Sequence, residues 1–337
     1  MYSSYSPLQQ SQLAAQGYYD TQSTYLLVYA PGRNTALRAT LADQLHRKFR
    51  LADTLGSALT EGVDGVLLVS EDVECMSTAL MCFAKALQDG ADYAVCNAVF
   101  GFGGATALYQ SRAHLAQNRC ALVSRPLLER CRAAAKDPEN VTELLALAAQ
   151  FCAHPTRIPQ ALLHYERDIC AEDAFSATGK RAFLMSHVLD MTGAPIVLVS
   201  AVPVLRSMGY EVVVLGPSDG GALQLFVDAG AAVITRPGIR ATPNLWGLAL
   251  CTDLVLVNTV VMARTVRALS GTAVPVLWWL HDAFAGYPHI AHQIPTKLAE
   301  NVRLYSVGHH AANAMHAVRP DFQIGQLIYG LPDYAAE

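Results

Sequence analysis

Short runs of β-branched and other apolar residues alternate with helical segments along most of this 337-residue chain. The second half shows the pattern best, with predicted strands at 181–189, 211–215, 232–235, 253–258 and 275–280. Continuous apolar strands joined by helices are typical of a parallel sheet that is covered by helices on both faces. The pattern therefore predicts an α/β fold with a doubly wound, Rossmann-like sheet.

The first half repeats this alternation less regularly. Its clearest predicted strands are 25–29, 65–70 and 93–99, and residues 34–48 and 51–60 are predicted to be helical. A chain of this length is too long for one ordinary domain. We therefore expect two Rossmann-like units.

The predicted organisation has four parts. Residues 1–22 are rich in Ser, Gln and Tyr and lack the basic start and apolar centre of a signal peptide, so they are predicted to be a disordered leader. The first domain is predicted at 23–168, a polar linker at 169–180 and the second domain at 181–334.

Composition excludes several classes of protein. A content of 52% hydrophobic and 15% charged residues is enough for a packed core. No apolar run approaches the roughly 20 residues that a membrane-spanning helix needs, so no transmembrane segment is predicted. The net charge of −4 argues against a nucleic-acid partner. The eight cysteines show no C-x-x-C pair or metal-like spacing, which favours a reducing, cytoplasmic location.

Two positions in the second half stand where open parallel sheets bind ligands, beyond the carboxyl ends of strands. Gly193 begins a predicted helix, and the backbone N–H groups there suit an anionic or hydroxyl-rich ligand. The alternative is an ordinary strand-to-helix turn with Pro195 near the helix start. His281 follows an apolar strand and suits hydrogen bonding or proton transfer, or it simply bonds to nearby backbone. The G-x-G-x-x-G fingerprint is missing, which argues against a dinucleotide oxidoreductase or a sugar-nucleotide epimerase.

Several short motifs, in order, resemble the opening lobe of family 4 glycosyltransferases of the GT-B fold. They are LMSHVL (184–189), TGAPIVL (192–198), GYEVVV (209–214), DLVLVNT (253–259), PVLWWLHD (275–282) and YGLPD (329–333). The resemblance spans about 181–334. It implies the N-terminal, acceptor-side lobe of a retaining transferase that uses a nucleotide sugar, with a glycan or lipid-linked acceptor.

This resemblance also implies roles for individual residues. Gly193 and Ala194 correspond to the loop that faces the donor phosphate and the acceptor, and His281 corresponds to the histidine that contacts the donor sugar. His281 is therefore the catalytic candidate. The acceptor pocket is assigned, on a weaker correspondence, to Asn258, Asp282 and Ser306. No cofactor is expected for this lobe.

The stretch GVLLVSEDVE (65–74) resembles, more faintly, the region leading to the D-x-D motif of family 2 glycosyltransferases of the GT-A fold. In that family two carboxylates hold Mg²⁺ or Mn²⁺ and the donor diphosphate, since hard oxygen ligands suit these ions. Ser70 replaces the first aspartate here, which leaves Glu71 and Asp72 as candidate metal ligands. We favour the alternative of an acidic helix N-terminus, or of a degenerate domain that is retained for packing or acceptor recognition. A metal is expected only if this segment is active.

The leading hypothesis is a glycosyltransferase of cell-surface polysaccharide synthesis, present as an incomplete chain. The resemblance implies a second lobe that binds the nucleotide, and only three residues follow 329–334. No turnover is expected from this chain alone. The alternative is a non-catalytic module that binds a glycan or a protein. The donor sugar, the acceptor and the linkage stay open, as does a peripheral position at the inner membrane face.

Overall fold

The computed structural model describes residues 6–15, 19–56, 58–59, 62–101, 106–110, 119–175, 179–239 and 247–329. The chain forms two compact units. The first comprises Met1–Gly101 and His114–Asp168, and the second comprises Phe102–Ala113 and Ile169–Glu337.

Strands and helices alternate along both units. In chain order the strands are β1 (Leu26–Tyr29), β2 (Phe49–Ala52), β3 (Gly65–Val69), β4 (Glu74–Cys75), β5 (Tyr93–Gly101), β6 (Thr106–Gln110), β7 (Cys120–Ser124), β8 (Thr156–Asp168), β9 (Lys180–Met185), β10 (Tyr210–Gly216), β11 (Ala232–Thr235), β12 (Leu254–Asn258), β13 (Val276–Leu280), β14 (Val302–Ser306) and β15 (Gly325–Gln326). The helices are α1 (Pro7–Ala15), α2 (Thr35–Leu41), α3 (Ala79–Gln88), α4 (Arg125–Ala134), α5 (Val141–Phe151), α6 (Ala171–Ala174), α7 (Gly193–Ser207), α8 (Leu223–Asp228), α9 (Ala263–Leu269) and α10 (His309–His316).

The sheet of the first unit mixes strand directions. Its order is β2-β1-β3-β7-β5-β8, and β4 pairs with β8. β1 is parallel to β2 and β3, and β5 is parallel to β8, whereas β7 is antiparallel to β3 and β5. Helices α4 and α5 pack on this sheet, and their N-termini are capped by Ser124 and Asn140.

The sheet of the second unit is parallel, except at one edge. Its order is β15-β14-β13-β12-β9-β10-β11-β6, and only β6, which pairs with β11, is antiparallel among these described strands. After β9 the chain adds β10 and β11 on one side and then returns to add β12 on the other. This reversal between β9 and β12 is the point at which open α/β sheets bind ligands. The predicted α/β fold class with Rossmann-like units is confirmed.

The two tryptophans of the second unit's sheet lie in its core. Trp278 is 0% exposed and its indole Nε1 donates to the Thr259 carbonyl at 2.8 Å. Trp279 is also buried, and its Nε1 donates to the Leu327 carbonyl at 3.0 Å. Both buried indole N–H groups are thus satisfied.

Two predicted helices of the first unit are wrong in part. Residues 51–60 were expected to be helical, but Leu51 and Ala52 belong to β2, and no other described residue of this stretch is helical. The helix predicted at 34–48 ends at Leu41. The buried Gln44 side chain instead donates to the Met76 carbonyl at 2.9 Å and accepts from the Leu80 N–H at 3.0 Å. Tertiary contacts of this kind override local helix propensity.

The structure also differs from the predicted organisation. The predicted leader contains α1, where Ser6 and Gln9 exchange backbone-to-side-chain bonds in a capping box and proline occupies the first helical position. β6, expected in the first domain, belongs to the second unit. The predicted linker contains α6 and the first residue of β9. None of the helices described is both long enough and apolar enough to cross a membrane.

Candidate functional site

The candidate site lies at the carboxyl ends of β9 and β12 in the second unit. Asn258 is the last residue of β12 and is 0% exposed. Its Nδ2 donates to the Ala194 carbonyl at 3.0 Å, so it connects β12 with the first turn of α7. Its Oδ1 is buried and has no hydrogen-bond partner among the described residues. The structure therefore brings together Asn258 and Ala194, which were predicted separately.

The N-terminus of α7 is open. Gly193 is its first residue, and a Cβ placed there would meet no atom within 4 Å. The preceding Thr192 makes no side-chain capping bond, because its hydroxyl donates to the Asp190 carboxylate at 2.5 Å. The partial positive charge of this 15-residue helix thus faces an uncovered position.

Thr259, directly after Asn258, has a strained backbone. Its φ of 71° and ψ of 161° lie in a region that is essentially restricted to glycine, and no other described non-glycine residue has a positive φ. Its N–H donates to the Trp279 carbonyl at 2.8 Å, and its carbonyl accepts the Trp278 indole. Its Oγ1 shares a hydrogen bond of 3.3 Å with His187 Nδ1. These contacts hold a conformation that costs about 1–3 kcal/mol.

His281 follows β13 and packs against Trp279, with the ring centroids 4.8 Å apart. Burial, assisted by the nearby charge of His187, lowers the pKa of His281 to about 4. The imidazole is therefore neutral near pH 7. Its Nε2 is buried without a hydrogen-bond partner among the described residues, so it can accept from or donate to a ligand.

Asp282 supports the strained turn. Its Oδ2 accepts from the Val260 N–H at 2.6 Å, one residue after Thr259. Burial raises the pKa of Asp282, although that bond and the charge of His187 act in the opposite direction. Asp282 was predicted to shape the acceptor pocket, and the structure gives it this backbone contact within the same region.

Three further hydroxyl groups of the second unit are buried without a hydrogen-bond partner among the described residues: Thr265 Oγ1 in α9, Ser306 Oγ and Tyr287 OH. Ser306 ends β14 and is paired with Leu280 of β13, next to His281. Tyr287 follows a short 3-10 turn, Phe284–Gly286, in the connection that leaves His281. Ser306 was predicted as a site residue, and Tyr287 was not.

Sequence reasoning missed three residues of this region. His187 stands in the LMSHVL motif and Thr259 follows Asn258, so both had a signal in the motifs themselves. Tyr287 had no such signal in the sequence, because its burial depends on the conformation of a turn of three residues. The region combines buried polar atoms that lack partners with the open N-terminus of α7, which suits a ligand that carries both hydroxyl groups and an anionic group. The described residues contain no group of three side chains that could hold a metal.

The candidate metal ligands of the first unit have protein partners. Asp72 accepts from the N–H groups of Thr35, Ala36 and Leu37 at 2.9, 3.1 and 3.0 Å, at the start of α2. Burial raises the pKa of Asp72, but these bonds outweigh it and lower the pKa overall. Glu71 pairs with Arg167 at 2.6 Å.

Asp72 therefore caps a helix, as the favoured alternative proposed, although that helix is α2 and not one that begins at residue 72. Both carboxylates line a cavity of about 300 Å³, and their assignment to a metal stays a prediction. A larger cavity, of about 900 Å³, lies along β14, and none of the predicted site residues lines it.

Comparison with known proteins gives one match. Residues 178–316 match the family model described as Glycosyl-transferase family 4. The matched segment lies in the second unit and contains Gly193, Asn258, His281 and Ser306. It supports the resemblance of this unit to family 4 glycosyltransferases and gives no support to a GT-A-like first unit. No curated protein and no solved structure matches the chain.

Proposed function

We propose that the second unit is the acceptor-side lobe of a retaining glycosyltransferase that uses a nucleotide sugar in glycan or cell-surface polysaccharide synthesis. One observation carries the proposal. Within the family-matched segment, Asn258 Oδ1, His281 Nε2 and Ser306 Oγ are buried without partners among the described residues. They stand at the carboxyl ends of the neighbouring strands β12, β13 and β14.

Such atoms favour a ligand rich in hydroxyl groups. A buried polar group without a partner costs about 1–3 kcal/mol, and a sugar hydroxyl, which both donates and accepts, would recover this cost on binding. His281 is neutral near pH 7 because burial lowers its pKa, so it suits an uncharged hydroxyl.

The remaining roles follow from position. The open N-terminus of α7 at Gly193 and Ala194 would face the donor phosphate, where helix dipoles stabilise the charge that develops on the leaving group. Asn258, Asp282 and Ser306 would shape the acceptor pocket. The acceptor oxygen would then bond to the anomeric carbon on the side of the leaving group as the bond to the donor diphosphate breaks, and the hydroxyl proton would pass to the departing diphosphate oxygen, without a metal held by this lobe. A cytoplasmic location completes the proposal, and the free cysteines are compatible with it.

Tryptophan fluorescence tests the proposal, because Trp279 lies against His281. Titration with methyl α-glucoside, UDP-glucose and GDP-mannose should give a saturable change with at least one ligand. The change should disappear in His281→Ala and persist in His164→Ala, whose histidine pairs with Glu74 in the first unit. A response that survives in His281→Ala, or no response to any of the three, would contradict the proposed site.

A second candidate function applies to the first unit, as a non-catalytic binding module. The partners of Asp72 and Glu71 favour it, since a helix N-terminus and an arginine already occupy both carboxylates. Binding of Mn²⁺ that Asp72→Asn abolishes, measured by calorimetry, would argue for the metal-dependent alternative instead.

A further inference from the structure

We propose that the hydroxyl of Tyr287 is an additional ligand-binding group of the second unit and donates a hydrogen bond to an oxygen of a sugar. This inference rests on the proposed function, because it names a contact to the same class of ligand. Tyr287 belongs to none of the motifs that carry the family resemblance.

The first argument is that only one polar group of Tyr287 lacks a partner. The residue is 0% exposed. Its N–H donates to the Phe284 carbonyl at 3.1 Å, and its carbonyl accepts from Ile290 and Ala291 at 3.0 and 2.8 Å. The hydroxyl alone has no partner among the described residues. Buried tyrosines usually satisfy this group, and phenylalanine would fill the same space without the cost.

The second argument is location. Tyr287 lies six residues after His281, in the same connection, and the charge of Asp282 contributes to raising the pKa of its hydroxyl. Asp282 in turn binds the Val260 N–H beside the strained Thr259. The 3-10 turn directly before Tyr287 packs against α10, which begins three residues after the end of β14, so this connection stays beside the carboxyl ends of β13 and β14.

The third argument is chemical. Burial, followed by the charge of Asp282, raises the pKa of Tyr287 well above its usual range. The phenol therefore stays protonated at any physiological pH and cannot serve as a base. A permanently protonated hydroxyl is suited to donate to a neutral oxygen, such as a sugar hydroxyl.

Tyr287→Phe separates a ligand-binding role from a structural one. If the hydroxyl is unused in the free protein, the variant should unfold at an equal or higher urea concentration than the wild type. Trp278 and Trp279 are buried in β13 of the second unit, so tryptophan fluorescence reports the unfolding of this unit.

Tyr29→Phe is the matched control. Tyr29 is 1% exposed, and its hydroxyl donates to the Glu139 carbonyl at 2.8 Å in the first unit. Removing this satisfied hydroxyl should destabilise the native state and lower the equilibrium constant for folding about fivefold, measured by urea unfolding with circular dichroism. A similar loss in Tyr287→Phe would mean that the hydroxyl serves the fold, and would overturn the proposal.

Binding completes the test. Calorimetry with methyl α-glucoside, methyl α-mannoside, UDP-glucose and GDP-mannose should show about three- to tenfold weaker binding to Tyr287→Phe for each ligand that the wild type binds. Equal binding would overturn the role of Tyr287 and leave the proposed function intact. A wild type that binds none of the four contradicts the proposed function, and the ligand assigned to Tyr287 fails with it.

Discussion

At the scale of single residues, the candidate site combines strain with unsatisfied polar atoms. Thr259 occupies a glycine-like backbone conformation, and its neighbour Asn258 has a buried Oδ1 without a partner among the described residues. Both features cost stability in the free protein and are typical of sites that are organised in advance for a ligand. Substitutions that relieve the strain or remove an unpartnered atom should therefore raise stability and weaken ligand binding.

The free energy of unfolding of Thr259→Gly should exceed that of Thr259→Ala by about 1 kcal/mol or more. Both variants lose the bond to His187 Nδ1, but only glycine adopts φ 71° and ψ 161° without strain. Urea unfolding followed by tryptophan fluorescence measures the difference. The opposite order, with alanine more stable as in regular structure, would show that the backbone at Thr259 is not strained.

The stability of the second unit should fall as the pH decreases from about 6.5 to about 4, partly because of His281. Its pKa is about 4 in the folded protein and 6.5 as an ordinary histidine, so the unfolded chain binds the proton first. The contribution is complete above pH 6.5, is lost as the pH falls toward 4, and amounts to at most about 3 kcal/mol.

His281→Gln is the control for this pH dependence. Asp282 acts in the opposite sense, because its raised pKa lets the folded protein take up a proton first as the pH falls. The difference in unfolding free energy between wild type and variant, followed over pH, gives the contribution of His281 alone. Parallel curves of unfolding free energy against pH for the two proteins would contradict the lowered pKa.

At the scale of elements, the turns after β9 and β10 differ in what their glycines do. Gly193→Ala should change the free energy of unfolding by less than about 0.5 kcal/mol, since its Cβ would meet nothing within 4 Å. Gly220→Ala should lower the free energy of unfolding by about 1–3 kcal/mol, because the new Cβ would overlap the Leu189 carbonyl group.

Ligand binding distinguishes the two glycines further. If Gly193 allows close approach of a ligand to α7, Gly193→Ala should weaken binding in the calorimetric titration while its urea midpoint stays that of the wild type. A large stability loss in Gly193→Ala would instead assign this glycine to the fold.

The elements that sequence could predict are those whose pattern is local. The continuous apolar runs of β10, β12 and β13 predicted buried parallel strands, and their order placed Asn258 and His281 at one edge of the sheet. Residues 51–60 have a helix-like pattern as well. Their structure instead depends on pairing with β1 and on Glu139, whose carboxylate accepts from Leu55 N–H at 2.6 Å. A partner 84 positions away leaves no signal in a local pattern.

Tyr287 and the bond between His187 and Thr259 were beyond sequence reasoning for a related reason. Each depends on the conformation of a turn, and hydropathy does not encode turn conformation. The motif residues could be placed at a sheet edge, whereas the polar atoms that lack partners became visible only with side-chain packing.

At the scale of the whole molecule, β6 determines how the chain can be divided. It pairs antiparallel with β11 through Leu108 to Gln110, although it precedes the rest of the second unit in sequence. A chain that begins at residue 169 would leave that edge of β11 unpaired, and exposed strand edges favour association.

This truncated chain should therefore unfold at a lower urea concentration than the second unit of the full chain, and it should elute as larger species at higher protein concentration. Adding residues 106–110 back through a flexible linker should reverse both effects. Tryptophan fluorescence and size-exclusion chromatography measure them. A monomeric truncated chain with an unchanged urea midpoint would show that β6 contributes nothing to the second unit.

The pairing of β6 with β11 also determines when, during synthesis of the chain, the sheet of the second unit can be completed. Val233 is paired with Gln110, so more than a hundred residues must be synthesised after β6 before its partner exists. At about 5–20 residues per second, the edge of β6 that pairs with β11 would stay without this partner for roughly 6–25 seconds in a growing chain. Completion of the second unit's sheet is thus delayed by translation itself, and slower synthesis of residues 111–232 would lengthen the interval in which β6 is open to chaperones or to wrong partners.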